Sequence, residues 1–170
     1  MSKFPRRGWV WLVMAALTTV SIPATASESP SSIAGPLGKQ EACLVWESEG
    51  LFECFGSEEE VDGRIEDLVR EDSGNLEMLA QCSTGLRLYD GTGYSGSVLV
   101  ILDRSLWINL SSYGFDNRTS SYKVGACSSY FAENSSGGGS WYPTSATEAW
   151  DQDSSMQTGW NNRVSSVYQT

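Results

Sequence analysis

The sequence contains no histidine, and it has 11 Lys and Arg against 21 Asp and Glu among its 170 residues. Without an imidazole the chain cannot form a Ser-His-Asp or Cys-His nucleophile system, an HExxH zinc site or a histidine proton shuttle. The net charge of −10 argues against binding to a phosphate backbone, because such proteins carry a stripe of Lys and Arg. We therefore expect no histidine-based catalysis and no nucleic-acid partner.

Long hydrophobic runs are also lacking. The longest run, at residues 9–20, is shorter than the roughly 20 residues that a membrane-spanning helix needs. It follows a cluster of Lys and Arg and precedes a small-x-small pattern that ends at Ala26. These features predict a signal peptide over residues 1–26 and hence a secreted protein without membrane contact after cleavage. The alternative for this segment is a membrane anchor.

Cysteine is scarce, with four residues and no CxxC pair. In an exported chain an even set of this size predicts two disulfides, and a zinc site is not expected without CxxC or histidine. Four cysteines allow three pairings. Because each pair then lies within one segment of the chain, we expect the disulfides Cys43–Cys54 and Cys82–Cys127.

Charge and turn residues divide the first half of the exported chain. Residues 27–40 are rich in Ser, Pro and Gly and predict a flexible leader. Residues 41–81 contain two apolar runs around a turn, then a capping box at Ser57 and Glu60 and an apolar stripe at helical spacing. We predict an acidic hairpin-plus-helix accessory segment, which packs on the following domain because it cannot bury a core of its own. Its charge is either a surface for a basic partner or a solvated helix face.

Residues 82–170 have the texture of an all-β domain. Short runs rich in β-branched and aromatic residues alternate with clusters of Gly, Ser, Asn and Asp, a pattern typical of a sandwich or barrel. No helix is predicted after residue 81. The predicted strands lie at residues 86–89, 98–102, 107–110, 120–124, 130–132 and 164–168.

One nine-residue segment of this domain occurs twice. Residues 114–122 match residues 159–167 at five of nine positions, 45 residues further on. Each copy is preceded by aromatic residues that bracket a glycine-rich turn, at residues 89–96 and 131–141. Since one such unit cannot cover its own apolar face, the duplication predicts two Greek-key motifs packed together.

The two copies share the six-residue sequences DNRTSS, at residues 116–121, and NNRVSS, at residues 161–166. Together with Tyr89, Tyr94 and Gly96 of the first hairpin, they resemble the βγ-crystallin superfamily over residues 82–170. This resemblance implies a βγ-crystallin-like sandwich of two Greek-key motifs. As an exported single domain with few disulfides, the chain also resembles the bacterial crystallin-like metalloproteinase inhibitors (peptidase inhibitor family 36), through overall texture and without a diagnostic reactive-site motif.

The repeated motif suggests calcium as a cofactor, because calcium takes six to eight oxygen ligands and the motif is rich in Asp, Asn and Ser. The resemblance implies ligands from the carbonyl of the third motif residue, whose arginine side chain would point away, from the hydroxyl of the fifth, and from the two hairpins. The candidate metal ligands are Asp90, Asp116, Arg118, Ser120, Glu133, Asn161, Arg163 and Ser165. The second motif has no carboxylate, so we expect weak binding, on the order of 10⁻⁴–10⁻³ M. Alternatively, these side chains hold the turns without a metal.

Four tryptophans in the β domain allow two interpretations. Trp107, Trp141, Trp150 and Trp160 could form a carbohydrate platform, but large aromatic residues more often fill the core of a small β domain. Of the four, Trp141 and Trp150 are the better candidates for exposure.

Two functions follow from these observations. The first is a secreted, monomeric inhibitor of an extracellular metalloprotease or of another secreted protein, with residues 141–158 as its reactive loop. The alternative is a calcium-stabilised structural or cell-surface module. An enzyme is not expected, because a hydrolase without histidine would need paired carboxylates, and no spacing of the acids in the β domain identifies such a pair.

Overall fold

The computed structural model describes residues 41–71 and 84–170, which contain ten strands and one α-helix. The elements are β1 (Ala42–Trp46), β2 (Leu51–Phe55), α1 (Glu58–Glu71), β3 (Leu86–Gly91), β4 (Ser95–Ile101), β5 (Trp107–Asn109), β6 (Ser121–Lys123), β7 (Ser129–Ala132), β8 (Trp141–Tyr142), β9 (Gln152–Asp153) and β10 (Ser166–Gln169). Six strands form one sheet in the order β2-β1-β4-β3-β6-β9, and four form a second in the order β5-β10-β7-β8. The predicted fold class, two packed β-sheets preceded by a hairpin and a helix, is confirmed.

Several predictions from the sequence fall on residues outside the ranges 41–71 and 84–170. The signal peptide (1–26), the leader (27–40) and Cys82 lie outside the described residues. In the two described ranges no helix has the length and apolar character needed to cross a membrane.

The core lies between the two sheets, where alternate residues of facing strands meet. Leu88 and Leu99 of the first sheet and Phe131 and Val167 of the second are fully buried there. All six predicted strands are present, as β3 to β7 and β10. Strands β8 and β9 were not predicted, because two residues are too few to show an alternating pattern. They tie the segment 141–158 to both sheets, since β8 pairs with β7 and β9 pairs with β6.

The N-terminal hairpin is part of the first sheet. Strand β1 pairs in parallel with β4, from Ala42 opposite Val98 to Val45 opposite Ile101, and β2 pairs antiparallel with β1. All five residues of β1 are buried, which explains its uninterrupted apolar sequence. The predicted Cys43–Cys54 disulfide joins β1 to β2. Cys127 is also disulfide-bonded, and its predicted partner is outside the described residues.

Helix α1 covers the outer face of the six-stranded sheet. Ser57 caps its start, accepting a hydrogen bond at 3.3 Å from the backbone N–H of Glu60, whose carboxylate accepts one at 2.9 Å from the N–H of Gly56. This arrangement is close to the predicted capping box. Val61 and Ile65 are buried against the outward-facing residues of β1, β3 and β4. The described part of the molecule therefore has three layers: helix, six-stranded sheet and four-stranded sheet.

A cluster of charged and aromatic groups fastens the helix to the sheet. Arg87 on β3 forms ion pairs with Glu58 and Asp62 of the helix, and the Tyr89 hydroxyl donates a hydrogen bond to Glu58 Oε1 at 2.7 Å. The ammonium group of Lys123 lies 5.2 Å from the centre of the Tyr89 ring. Burial alone would raise the pKa of Glu58, but the hydrogen bonds from Tyr89 and Arg87 outweigh it and lower that pKa. The ionised form of Glu58 is therefore the form that this contact favours.

We predict that Glu58 stabilises the fold at neutral pH and loses this effect in acid. Because its folded pKa lies below its unfolded value of about 4.3, its contribution is complete above that value and disappears as pH falls through the folded pKa. Glu58→Gln should cost about 1–2 kcal/mol of unfolding free energy at pH 7. Urea denaturation at decreasing pH should show this difference shrinking once the pH falls below about 4.3. The exposed neighbour variant Glu59→Gln should match the wild type throughout, and a deficit for Glu58→Gln that does not shrink below that pH would contradict the prediction.

Candidate functional site

The two copies of the repeated motif lie against each other. The backbone N–H of Asn117 donates to the carbonyl of Val164 at 3.0 Å, and the N–H of Asn162 donates to the carbonyl of Thr119 at 2.9 Å. These residues hold equivalent positions in the 45-residue repeat. The contact is therefore reciprocal, with each motif giving the other the same hydrogen bond.

Side-chain oxygens are paired across this contact in the same reciprocal way. Ser120 Oγ donates to Asn162 Oδ1 at 3.1 Å, and Ser165 Oγ donates to Asn117 Oδ1 at 3.4 Å. Both serines are buried, whereas both asparagines are exposed. Each of these two serine–asparagine pairs thus combines a hydroxyl from one motif with an amide oxygen from the other.

The backbone at the two asparagines explains why the chain has this residue type there. Asn117 and Asn162 have φ angles of 54° and 56°, in the left-handed region. Among residues other than glycine, asparagine enters this region most readily, because its short amide side chain forms local hydrogen bonds.

The last serine of each motif fastens a glycine-rich hairpin to the site. Ser121 Oγ donates to the carbonyl of Gly91 at 2.6 Å, and Ser166 Oγ donates to the carbonyl of Asn134 at 2.6 Å. Because these two serines are also equivalent in the repeat, the two hairpins occupy matching places beside the motifs.

The arginines of the motifs engage the hairpin acids. Arg118 forms an ion pair with Asp90 at 2.6 Å, and Arg163 forms one with Glu133 at the same distance. The hydrogen bonds from Arg163 lower the pKa of Glu133. The resemblance implies that both arginine side chains point away, and the structure differs here because each arginine lies within hydrogen-bonding distance of a hairpin carboxylate. The hairpin carboxylates are thereby already paired with a cation.

The predicted metal residues fall into three groups. The two motif serines lie in the oxygen pairs, whereas the arginines and hairpin acids form the ion pairs. Asp116 and Asn161 are exposed, and Asp116 accepts a hydrogen bond at 2.9 Å from the side-chain amide of Asn117. Asn117 and Asn162, which supply the amide oxygens, are not among the ligands predicted from the sequence. Their identity in both copies, at the position after Asp116 and Asn161, was the signal that could have found them.

These oxygens suit calcium only in a weak site. Calcium binds oxygen at 2.3–2.6 Å, so oxygens 3.1–3.4 Å apart can be neighbours around one ion. Both oxygens of each pair are neutral, and in residues 41–71 and 84–170 no group of three or more Cys, Asp or Glu could hold a metal. The residues therefore fit a calcium site of low affinity, and calcium binding itself stays a prediction.

We predict that Gly96, in the first hairpin, cannot be replaced without loss of stability. Its φ is 82°, and a Cβ there would lie 2.0 Å from Asp90 Oδ1, which accepts a hydrogen bond from the N–H of Ser97 at 2.8 Å. Gly93 has a φ of 68° but open space around its Cβ position. Gly96→Ala should therefore cost about 2–4 kcal/mol, from strain and displacement of Asp90, and Gly93→Ala about 1 kcal/mol from strain alone. Urea denaturation of both variants measures the difference, and equal losses would contradict it.

In comparisons with known proteins, this chain is similar to several solved structures. No protein-family model matches the chain, and no curated protein matches it. The chain is similar to a βγ-crystallin domain from Flavobacterium johnsoniae, with 23% identity and a TM-score of 0.39 over 50% of this chain and 92% of that one. It is also similar to the N-terminal domain of protein S, with 19% identity and a TM-score of 0.41 over 51% of this chain and 94% of that one.

A third similar structure comes from work on the evolution of the eye-lens βγ-crystallin fold, with 17% identity and a TM-score of 0.42. That match covers 51% of this chain and 85% of the other. The structural neighbours are thus βγ-crystallin domains that correspond to half of the chain. The narrower resemblance to metalloproteinase inhibitors stays a prediction.

Proposed function

We propose that this chain is a secreted, non-enzymatic binding module whose two Greek-key motifs are joined by weakly bound calcium. The observation that carries the proposal is the reciprocal placement of the two serine–asparagine pairs. In each pair, Ser120 with Asn162 and Ser165 with Asn117, the serine Oγ of one motif lies 3.1–3.4 Å from the asparagine Oδ1 of the other. An ion held by such a pair connects the two halves of the domain.

The expected consequence is greater stability of the folded state. A ligand that binds only the folded protein stabilises it by RT ln(1 + [L]/Kd). With a Kd on the order of 10⁻⁴–10⁻³ M, 10 mM calcium adds about 1.4–2.7 kcal/mol. Calcium therefore has a structural role in this proposal, and outside the cell its millimolar concentrations match such an affinity.

We predict that titration calorimetry with calcium chloride will detect binding in the range 10⁻⁴–10⁻³ M, accompanied by a higher unfolding temperature. Ser120→Ala and Ser165→Ala should each weaken one site, and the double variant should lose the response. Asn162→Asp should tighten binding, because it adds a carboxylate to the pair with Ser120. The exposed Ser112→Ala variant serves as the control and should bind like the wild type. Absence of both heat and stabilisation at 10 mM calcium would refute the proposal.

A second candidate function is inhibition of an extracellular metalloprotease through the segment 141–158. The observation that favours it is Trp150, whose side chain is 65% exposed and whose φ is 67°, in a region that bulky residues rarely enter. Its N–H donates to the carbonyl of Gly125 at 2.8 Å, and the N–H of Val124 donates to the carbonyl of Asp151 at 2.7 Å. The tryptophan is therefore exposed on backbone that is held in place.

The same segment has a second point of attachment. Thr147 is buried, its Oγ1 donates to the carbonyl of Ser129 at 2.9 Å, and it accepts a hydrogen bond from the N–H of Ser129 at 3.1 Å. A loop ordered before binding loses little conformational entropy when it meets a partner, and tryptophan is among the residues that contribute most to protein interfaces. These features suit a loop that inserts an aromatic anchor into the cleft of a protease.

We predict that the chain inhibits a thermolysin-type protease and that Trp150→Ala weakens inhibition at least tenfold, about 1.4 kcal/mol. Hydrolysis of a fluorogenic peptide at increasing inhibitor concentration gives the inhibition constant. Gln157→Ala, an exposed residue of the same segment, is the matched control and should inhibit like the wild type. Equal inhibition by Trp150→Ala and wild type would exclude the anchor role, and no inhibition by the wild type would exclude the function for this protease class.

A further inference from the structure

The outer faces of the two sheets present equivalent positions of the repeat. Ser121 and Ser166 are matching residues, so Lys123, two residues after the first, corresponds to Tyr168, two residues after the second. Lys123 lies opposite Arg87 on the neighbouring strand, just as Tyr168 lies opposite Tyr130. A cationic pair on one sheet is therefore replaced by a tyrosine pair on the other.

The outer face that carries Arg87 and Lys123 is covered by helix α1. Arg87 forms ion pairs with Glu58 and Asp62 of α1, and Lys123 lies over the Tyr89 ring. Helix α1 is acidic in its first turn, so the two cations match the charge of the element that covers them. On this sheet the charge of the outward-facing side chains is therefore opposite to that of the helix that covers them.

The tyrosine face is aromatic, and α1, the one α-helix of the described residues, does not pack on it. Trp107 and Trp141 join Tyr130 and Tyr168 in a closed ring of contacts, with neighbouring ring centres 5.2–6.1 Å apart. Strand alternation places these side chains outward, since the adjacent residues Ile108, Phe131, Tyr142 and Val167 are buried in the core. We call Trp107, Tyr130, Trp141 and Tyr168 the aromatic face.

Trp141 is the most accessible member of the aromatic face. It lies opposite Ala132 on β7, and the matching position on the other sheet, opposite Tyr89, is Val98. Val98 is 4% exposed beneath the helix layer, whereas Trp141 is 40% exposed. The indole N–H of Trp141 donates to the carbonyl of Gly137 at 2.7 Å, so the ring is held in one orientation.

Gly137 makes room for this arrangement. Its N–H donates to Ser166 Oγ at 3.0 Å, just as the N–H of Tyr94 donates to Ser121 Oγ at 3.1 Å in the first hairpin, so glycine stands where the first hairpin has tyrosine. A Cβ on Gly137 would lie 2.5 Å from the Trp107 ring. The close approach of Trp107 therefore depends on this glycine, and the aromatic face is a specific feature of the second hairpin.

We propose that the aromatic face binds a neutral polysaccharide. Sugar rings present C–H groups with partial positive charge, and these pack favourably on the electron-rich faces of aromatic rings. Trp and Tyr add N–H and O–H groups at their edges for hydrogen bonds to hydroxyls. None of the four side chains carries a charge at neutral pH, and the protein as a whole is acidic at −10, so the aromatic face matches an uncharged ligand and an anionic one is disfavoured.

The size of the aromatic face favours a sugar chain over a protein. A stable protein interface buries about 800 Å² on each partner. Trp141 is 40% exposed and the other three rings are less exposed, so the aromatic face exposes at most roughly 350 Å². That area is too small for a second copy of the chain and suits a few consecutive sugar units. This inference is independent of calcium binding and of protease inhibition.

Affinity electrophoresis of the full chain tests the proposal. Native gels cast with laminarin, barley β-glucan, hydroxyethyl cellulose or soluble starch present neutral polymers, and a gel with alginate presents an anionic one. We expect at least one neutral polymer to retard the wild type and to quench its tryptophan fluorescence on titration. Trp141→Ala should raise the apparent Kd at least tenfold, and Tyr168→Lys, which copies the residue of the other sheet, should abolish retardation. Leu106→Ala, 38% exposed, is the matched control and should migrate with the wild type.

The unfolding temperature of each variant shows whether it is folded before its migration is compared. Three results would overturn the proposal: no retardation of the wild type by any of the four neutral polymers, equal retardation of wild type and folded Trp141→Ala, or retardation by alginate alone. Sedimentation measures the oligomeric state of the wild type and of Trp141→Ala. A wild-type dimer that Trp141→Ala dissociates would also overturn the proposal, because the aromatic face would then bind a second copy.

Discussion

The rest of the β domain is organised around the reciprocal contact between the two motifs. Two backbone hydrogen bonds, from Asn117 and Asn162, join the motifs, and the side chains of the same residues accept hydrogen bonds from buried serines. The final serine of each motif then holds the adjoining hairpin. The two short polar motifs thus connect the two sheets, the two hairpins and the candidate calcium ligands. The symmetry of their contact follows directly from the duplicated sequence.

The outer faces show where the two repeats differ. On the six-stranded sheet, Arg87 and Lys123 meet an acidic helix, and the hairpin formed by β1 and β2 extends the sheet by parallel pairing with β4. On the four-stranded sheet the corresponding residues are Tyr130 and Tyr168, which form an aromatic surface with Trp107 and Trp141. The duplicated inner faces build a common core, so the outer faces are free to differ. Binding properties of this protein are therefore expected on outer surfaces and loops.

Much of the fold could be predicted from local sequence. Strand alternation, the capping residues around Ser57 and the spacing of Cys43 and Cys54 all depend on neighbours close in the chain, and each prediction was confirmed. The short strands β8 and β9 were missed, because two-residue pairings have no periodicity and depend on strands elsewhere in the fold. The position of β1 beside β4 was also not predicted in detail, since parallel pairing joins residues that are distant in sequence.

For the candidate site, the sequence by itself determined the duplicated motif, its serines and the adjoining hairpins. It did not determine that Arg118 and Arg163 pair with the hairpin acids, or that the asparagine at the second position of each motif faces a serine of the other motif. The sequence did favour Trp141 and Trp150 as the exposed tryptophans, and the structure confirms this at 40% and 65% exposure. Residue types and their spacing encode local turns and strands. Which oxygens and aromatic rings meet across the molecule is decided by tertiary packing, which brings together residues that are distant along the chain.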